Sequence, residues 1–63
     1  MIHMKEVVGI SNVGYSEAVK GALKKLMDGG NKVYWFEIAE QRGAVKGSDL
    51  EYQVKVKVAV EGN

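Results

Sequence analysis

Residues 50–60, LEYQVKVKVAV, alternate without a break. Leu50, Tyr52, Val54, Val56, Val58 and Val60 fall on one side, and Glu51, Gln53, Lys55, Lys57 and Ala59 on the other. A period of two marks a strand with one dry and one wet face. A row so rich in valine has to be covered, and the chain has only 63 residues with which to do it. That length limits it to one domain, residues 1–63. A domain of this size buries roughly 60% of the surface its unfolded chain exposes, so it usually needs a staple. There is no cysteine and a single histidine, His3. Disulfides and thiolate metal sites are excluded, which leaves association between subunits.

The cover comes from residues 15–28, which predict an amphipathic helix. Tyr15, Ala18, Val19, Ala22, Leu23, Leu26 and Met27 follow the i, i+3, i+4, i+7 spacing. Gly14 serves as N-cap, Glu17 lies near the positive end of the dipole, and Gly29-Gly30 ends the helix. Gly21 sits inside it, as a tolerated surface residue or as a point of close approach by another chain. A short strand is predicted over residues 2–9 and a long one over 32–42. The turn falls at 43–49, GAVKGSD, before the strand at 50–60. The expected fold is α+β: β-α-β-β, a three-stranded antiparallel sheet with one amphipathic helix packed on one face.

The strand at 32–42 holds two rows. Tyr34, Phe36 and Ile38 make an ordinary core row that should turn toward the helix, as should the valine row of the last strand. Val33, Trp35, Glu37 and Ala39 make the other row. Trp35, Glu37 and Ala39 therefore share the opposite face with Gln53, Lys55 and Lys57. Nothing else in the chain covers that face, so another subunit, a ligand, or both must. An indole provides a flat stacking surface, and a glutamine amide offers a donor beside an acceptor, which suits a ring edge with N–H next to C=O. A tryptophan on an open sheet face is more often a contact between subunits than a ligand platform.

Other chemistries find no residues to carry them. There is no Ser-His-Asp or Cys-His set, and GISNVG lacks the Lys-Ser/Thr of a phosphate loop. The acidic residues show no metal-loop spacing. No enzyme activity is expected. The net charge of +1 gives no pull toward nucleic acid, although Trp35 with Lys55 and Lys57 has the make-up of a small single-strand binder. No apolar run approaches the ~20 residues of a membrane span and no signal-peptide pattern is present, so a cytoplasmic location is expected.

The segments EVVGISN, Y-x-x-A-V-x-x-A-L, WFEI, RG and YQVKVKV, together with the separation of Gly9 from Trp35, resemble the dodecins over nearly the whole chain. That resemblance implies a hollow homododecamer that binds a flavin: riboflavin, FMN or a lumichrome-like ring. It implies that Trp35 stacks on the isoalloxazine, that Gln53 binds its pyrimidine edge, and that Arg42 lies near the site. Three positions depart from the pattern. Gly14 stands where many members have a Ser or Thr cap. Gly30 replaces an apolar residue, and Val60-Glu61 occupies the place of a Phe and a base. The acid predicts a preference for flavins without phosphate. The alternative is a structural oligomer of the same fold that binds no flavin, with Trp35 as an interface anchor.

Overall fold

The structure, a computed structural model, describes residues 1–62. Four elements follow in the expected order: β1 (His3–Ser11), α1 (Tyr15–Asp28), β2 (Lys32–Lys46) and β3 (Asp49–Glu61). They form one antiparallel sheet with the order β1-β3-β2, so the alternating strand lies in the centre. Among the described residues no helix is long and apolar enough to cross a membrane.

The alternation of β3 sorts its two faces as the sequence requires. Val54, Val56, Val58 and Val60 are almost wholly buried beneath Ala18, Val19, Ala22 and Leu26 of α1. Burying each valine is worth roughly 1.5–3 kcal/mol before entropy is counted. The helix seats closely because small residues meet at its crossing with β1. A methyl group at Gly9 would overlap the Ala18 carbonyl oxygen and touch the Ala22 Cβ. Gly9 is therefore a packing position inside β1, and the strand continues through it to Ser11 instead of ending at residue 9.

α1 begins after an extended Gly14 whose carbonyl accepts from the Ala18 N–H at 3.1 Å. At its other end Gly30 takes a positive φ of 89°, and its N–H donates to Met27 O. The Asn31 N–H reaches back to Leu26 O. These two bonds make a Schellman motif with glycine in the left-handed position. Apart from the backbone of its own helix, a Cβ at Gly21 would meet nothing among the described residues within 4 Å.

The hairpin departs from expectation. Residues 43–46 do not turn: Gly43, Ala44, Val45 and Lys46 pair with Tyr52, Glu51, Leu50 and Asp49. Only Gly47 and Ser48 form the loop, with Gly47 at φ 65°. Glycine first with positive φ is what a two-residue hairpin turn of the II′ kind demands. Gly43 is a ladder residue beside Tyr15, whose ring meets Tyr52 edge-on with centroids 4.9 Å apart. The helix is about 21 Å long, whereas the molecule extends over 44 Å. The arm carrying Val45 and Leu50 projects past the helix with both side chains exposed.

The rows of β2 also differ. The ladder is broken between Val33 and Trp35 and again between Ile38 and Glu40. Each β-bulge inserts one residue and reverses which side chains face the helix. Val33, opposite Val60, packs against the core in the place expected for Tyr34. Tyr34 is the inserted residue, and its hydroxyl donates to Glu61 at 2.6 Å. Phe36 and Ile38 face the helix side as expected, opposite Val58 and Val56, but stay 45% and 41% exposed. The helix lies over β1 and β3 and leaves β2 half covered. An open groove of about 530 Å³ remains there, lined chiefly by Tyr15, Val19, Leu23, Phe36 and Ile38.

Candidate ligand-binding face

Four rows of side chains cross the face away from the helix. In order along the sheet they are Met4–Ala59–Trp35, Glu6–Lys57–Glu37, Val8–Lys55–Glu40 and Ile10–Gln53–Arg42. Trp35 reaches this face because of the bulges. They bracket Trp35–Ile38 and set that segment out of phase with the rest of β2. Strict alternation from Val33, which packs on the helix side, would have turned the indole inward. Here it is 55% exposed, beside an Ala59 with no accessible surface. Met4 extends the apolar area across β1, and Val8 and Ile10 form a second exposed apolar pair beyond Glu6.

The second bulge, at Ala39, restores the original phase and so delivers Arg42 to the same face. Counting by twos from Phe36 would have placed it under the helix. Arg42 stands opposite Gln53, and its Nε donates to Gln53 Oε1 at 2.7 Å. Gln53 Nε2 donates in turn to Glu51 Oε1 at 2.8 Å, and Lys46 Nζ to Glu51 Oε2 at 3.1 Å. The hydrogen bond from Gln53, then the one from Lys46, holds the Glu51 carboxyl below the usual carboxylate range. A shallow cavity of about 130 Å³ opens beside this chain, lined by Val8, Glu40, Arg42, Gln53, Val54 and Lys55.

Trp35 and Gln53 thus share a face but not a neighbourhood. Ala59, the partner of Trp35, lies six residues from Gln53 along β3, a separation of about 20 Å. The structure joins Arg42 to Gln53 and keeps Trp35 apart from both.

The tryptophan end has its own charges. Glu61 pairs with Lys32 one outer-face position beyond Ala59. It accepts from the Tyr34 hydroxyl and from the terminal ammonium of Met1 at 3.0 Å. The first of these, then the second, lowers the Glu61 carboxyl from its ordinary value, and the same contact with Glu61 raises the Tyr34 phenol. Lys55 is paired with Glu40 at 3.3 Å.

Sequence reasoning missed Glu51 and Lys46. Glu51 was findable, since it lies two residues before Gln53 in the same alternating row. Lys46 was hidden by its assignment to a turn.

Among known proteins, the family model described as Dodecin matches residues 2–61. An arginine-to-alanine variant of the Thermus thermophilus dodecin superposes with a TM-score of 0.87 at 29% identity, covering 100% of this chain and 96% of that one. A tryptophan-to-phenylalanine variant of that dodecin gives 0.87 at 28% identity, covering 100% and 97%. A further T. thermophilus crystal structure gives 0.85 at 30% identity, also covering 100% and 97%. No curated protein sequence matches the chain. A match spanning all but the ends of the sequence, on a fold with the same strand and helix order, decides the matter: the chain belongs to the dodecin family.

Proposed function

We propose that this protein is a homo-oligomeric flavin binder that stores or buffers flavin and catalyses no reaction. The observation that carries the reading is Trp35, a large aromatic held half exposed by two bulges on a face that nothing among the described residues covers. Bulges at such positions re-aim side chains next to sites. Stacking of a flat ring on an indole is worth about 1–3 kcal/mol. In the assembly, a homododecamer, Trp35 side chains related by a two-fold axis sandwich paired isoalloxazine rings. Gln53 orients the pyrimidine edge, and Arg42 lies beside it. The ~20 Å between Trp35 and Gln53 on one copy favours a site in which one copy supplies the indole and another the amide. Riboflavin, FMN and lumichrome-like rings all present the required flat surface and edge. Close indole contact quenches flavin fluorescence.

The test is a riboflavin titration of the purified protein, followed by absorption and fluorescence, with light scattering run alongside. Saturable quenching by an assembly many times the mass of one chain is expected. A stable monomer at micromolar concentration would overturn the oligomer.

A specific observation favours a second reading, a structural oligomer without flavin. Met4, Val8, Ile10 and Trp35 are exposed apolar side chains of the kind subunits bury against each other, and the Gln53 amide already has a partner on each side. An intact assembly that leaves riboflavin fluorescence unchanged would decide for it.

A further inference from the structure

A glutamine amide is almost symmetric in shape, and only its neighbours decide which way its oxygen and nitrogen face. The neighbours of Gln53 are chemically one-sided. Arg42 can only donate, and it donates to Oε1 at 2.7 Å. An ionised Glu51 can only accept, and it accepts from Nε2 at 2.8 Å. Turning the amide over would set donor against donor and acceptor against acceptor at once. Glu51 is itself held in place by Lys46, 3.1 Å from its other oxygen, and its side chain is 23% exposed. What Gln53 has left for a ligand is one N–H and one lone pair, in an order its neighbours dictate.

We propose that Glu51 is a positioning residue that determines specificity: with Arg42 it fixes the handedness of the Gln53 amide, so that a ligand's ring edge meets donor and acceptor in one order only. The role rests on the flavin reading above and deepens it. The class of ligand it selects is a ring with an imide edge, N–H beside C=O. The other charges around Glu51 are few. Lys46 and Arg42 come from β2, and Asp49 flanks it on β3; Ala44 is its register partner. β1 ends at Ser11, opposite Tyr52, and adds no charge beside it.

The experiment compares riboflavin with a riboflavin analogue methylated on the imide nitrogen, which keeps the stacking surface and loses the N–H. Both are titrated by fluorescence quenching into the unaltered protein, Glu51→Ala, Glu51→Gln and Gln53→Ala, with assembly size checked for each. The unaltered protein should bind the methylated ring about tenfold more weakly, because a site built for an N–H rejects a ligand without it. Glu51→Ala should compress that ratio to about twofold or less, since the freed amide can turn over. Glu51→Gln keeps an acceptor oxygen and should retain part of the discrimination, which separates loss of the contact from mere failure to assemble. Discrimination in the unaltered protein should also fall as pH drops below the ordinary carboxylate range and Glu51 takes up a proton, and Glu51→Gln should lack that acid limb.

An unchanged ratio in an intact Glu51→Ala assembly would overturn the role of Glu51 alone, provided Gln53→Ala abolishes the ratio. If Gln53→Ala leaves the ratio intact as well, the ring-edge reading of Gln53 fails and the role of Glu51 goes with it. Absence of any riboflavin binding by the unaltered protein overturns both.

Discussion

The two faces of β3 are built from adjacent residues and obey different rules. On the helix side, Val54, Val56, Val58 and Val60 belong to the hydrophobic core under α1 and leave almost nothing exposed. On the other side, Gln53, Lys55 and Lys57 stand between charged and apolar neighbours from both flanking strands. The covered face accounts for how one chain folds. The open face presents Trp35, Met4, Val8 and Ile10 to whatever lies outside the chain. A substitution on the first should therefore be felt as loss of structure, and one on the second as loss of association or binding with the fold left standing.

The harshest way to test this division is a charge in the core. Val56→Asp buries an unpaired carboxylate at a fully enclosed position, at a cost on the order of 5 kcal/mol. A domain of 63 residues has roughly 3–9 kcal/mol of stability in all, so circular dichroism should show little native structure. Lys57→Gln, the next residue on the open face, should keep the unaltered spectrum. If both variants melted alike, the two faces would not be energetically distinct.

A gentler probe of the covered side is Gly9→Ala. The added methyl meets helix backbone that cannot step aside without moving α1, and overpacking of this kind costs about 1–3 kcal/mol. Thermal melting should drop by several degrees, where Gly21→Ala, with open space around it, should raise it. A Gly9→Ala melt equal to that of the unaltered chain would mean the helix seats more loosely than described.

On the open face, Trp35→Ala should weaken riboflavin binding by about tenfold or more through the lost stacking partner, with helix and sheet content unchanged. Assembly size has to be followed in the same sample. Undiminished affinity in an intact assembly would put the stacking surface elsewhere.

The smallest effect concerns phosphate. Glu61, beside the Trp35 row, is held ionised by Tyr34 and the terminal ammonium, and Lys32 opposes it. Riboflavin should outcompete its monophosphate by about fivefold at low salt, since two charges 4 Å apart in water interact by only ~1 kcal/mol. The gap should narrow with added salt. It should also narrow as pH falls through the lowered pKa of Glu61, because the repelling form is the ionised one. Tighter binding of the monophosphate at low salt would identify Lys32 or Arg42 as a phosphate partner instead.

How far the sequence could be followed depended on whether a feature had periodicity. β3 and α1 were readable because their apolar residues repeat at two and at 3.6, and Gly29-Gly30 closes the helix with the motif those residues favour. Gly9 and Gly43 were misleading. Both looked like punctuation; Gly9 instead makes room for α1 at Ala18, a contact that no local pattern encodes, and Gly43 pairs with Tyr52 inside the ladder. Trp35 and Gln53 were rightly assigned to one face, but their separation along β3 needed the register. Arg42 entered through family resemblance alone. By alternation it belonged under the helix, and only the bulge at Ala39 reveals why it meets Gln53.

Those paired bulges make β2 a strand of three stretches in two reading frames. Trp35–Ile38 is written in one phase, and the stretches before and after it in the other. Each inserted residue is absorbed where it stands, so the partners on either side stay consecutive along β3. Removing Ala39 would make Ile38 and Glu40 ordinary neighbours, opposite Val56 and Lys55, and would leave Gln41 and Arg42 on their present faces. For a lineage or a designer, β2 can gain or lose a residue at a bulge without exchanging its ligand-facing side chains.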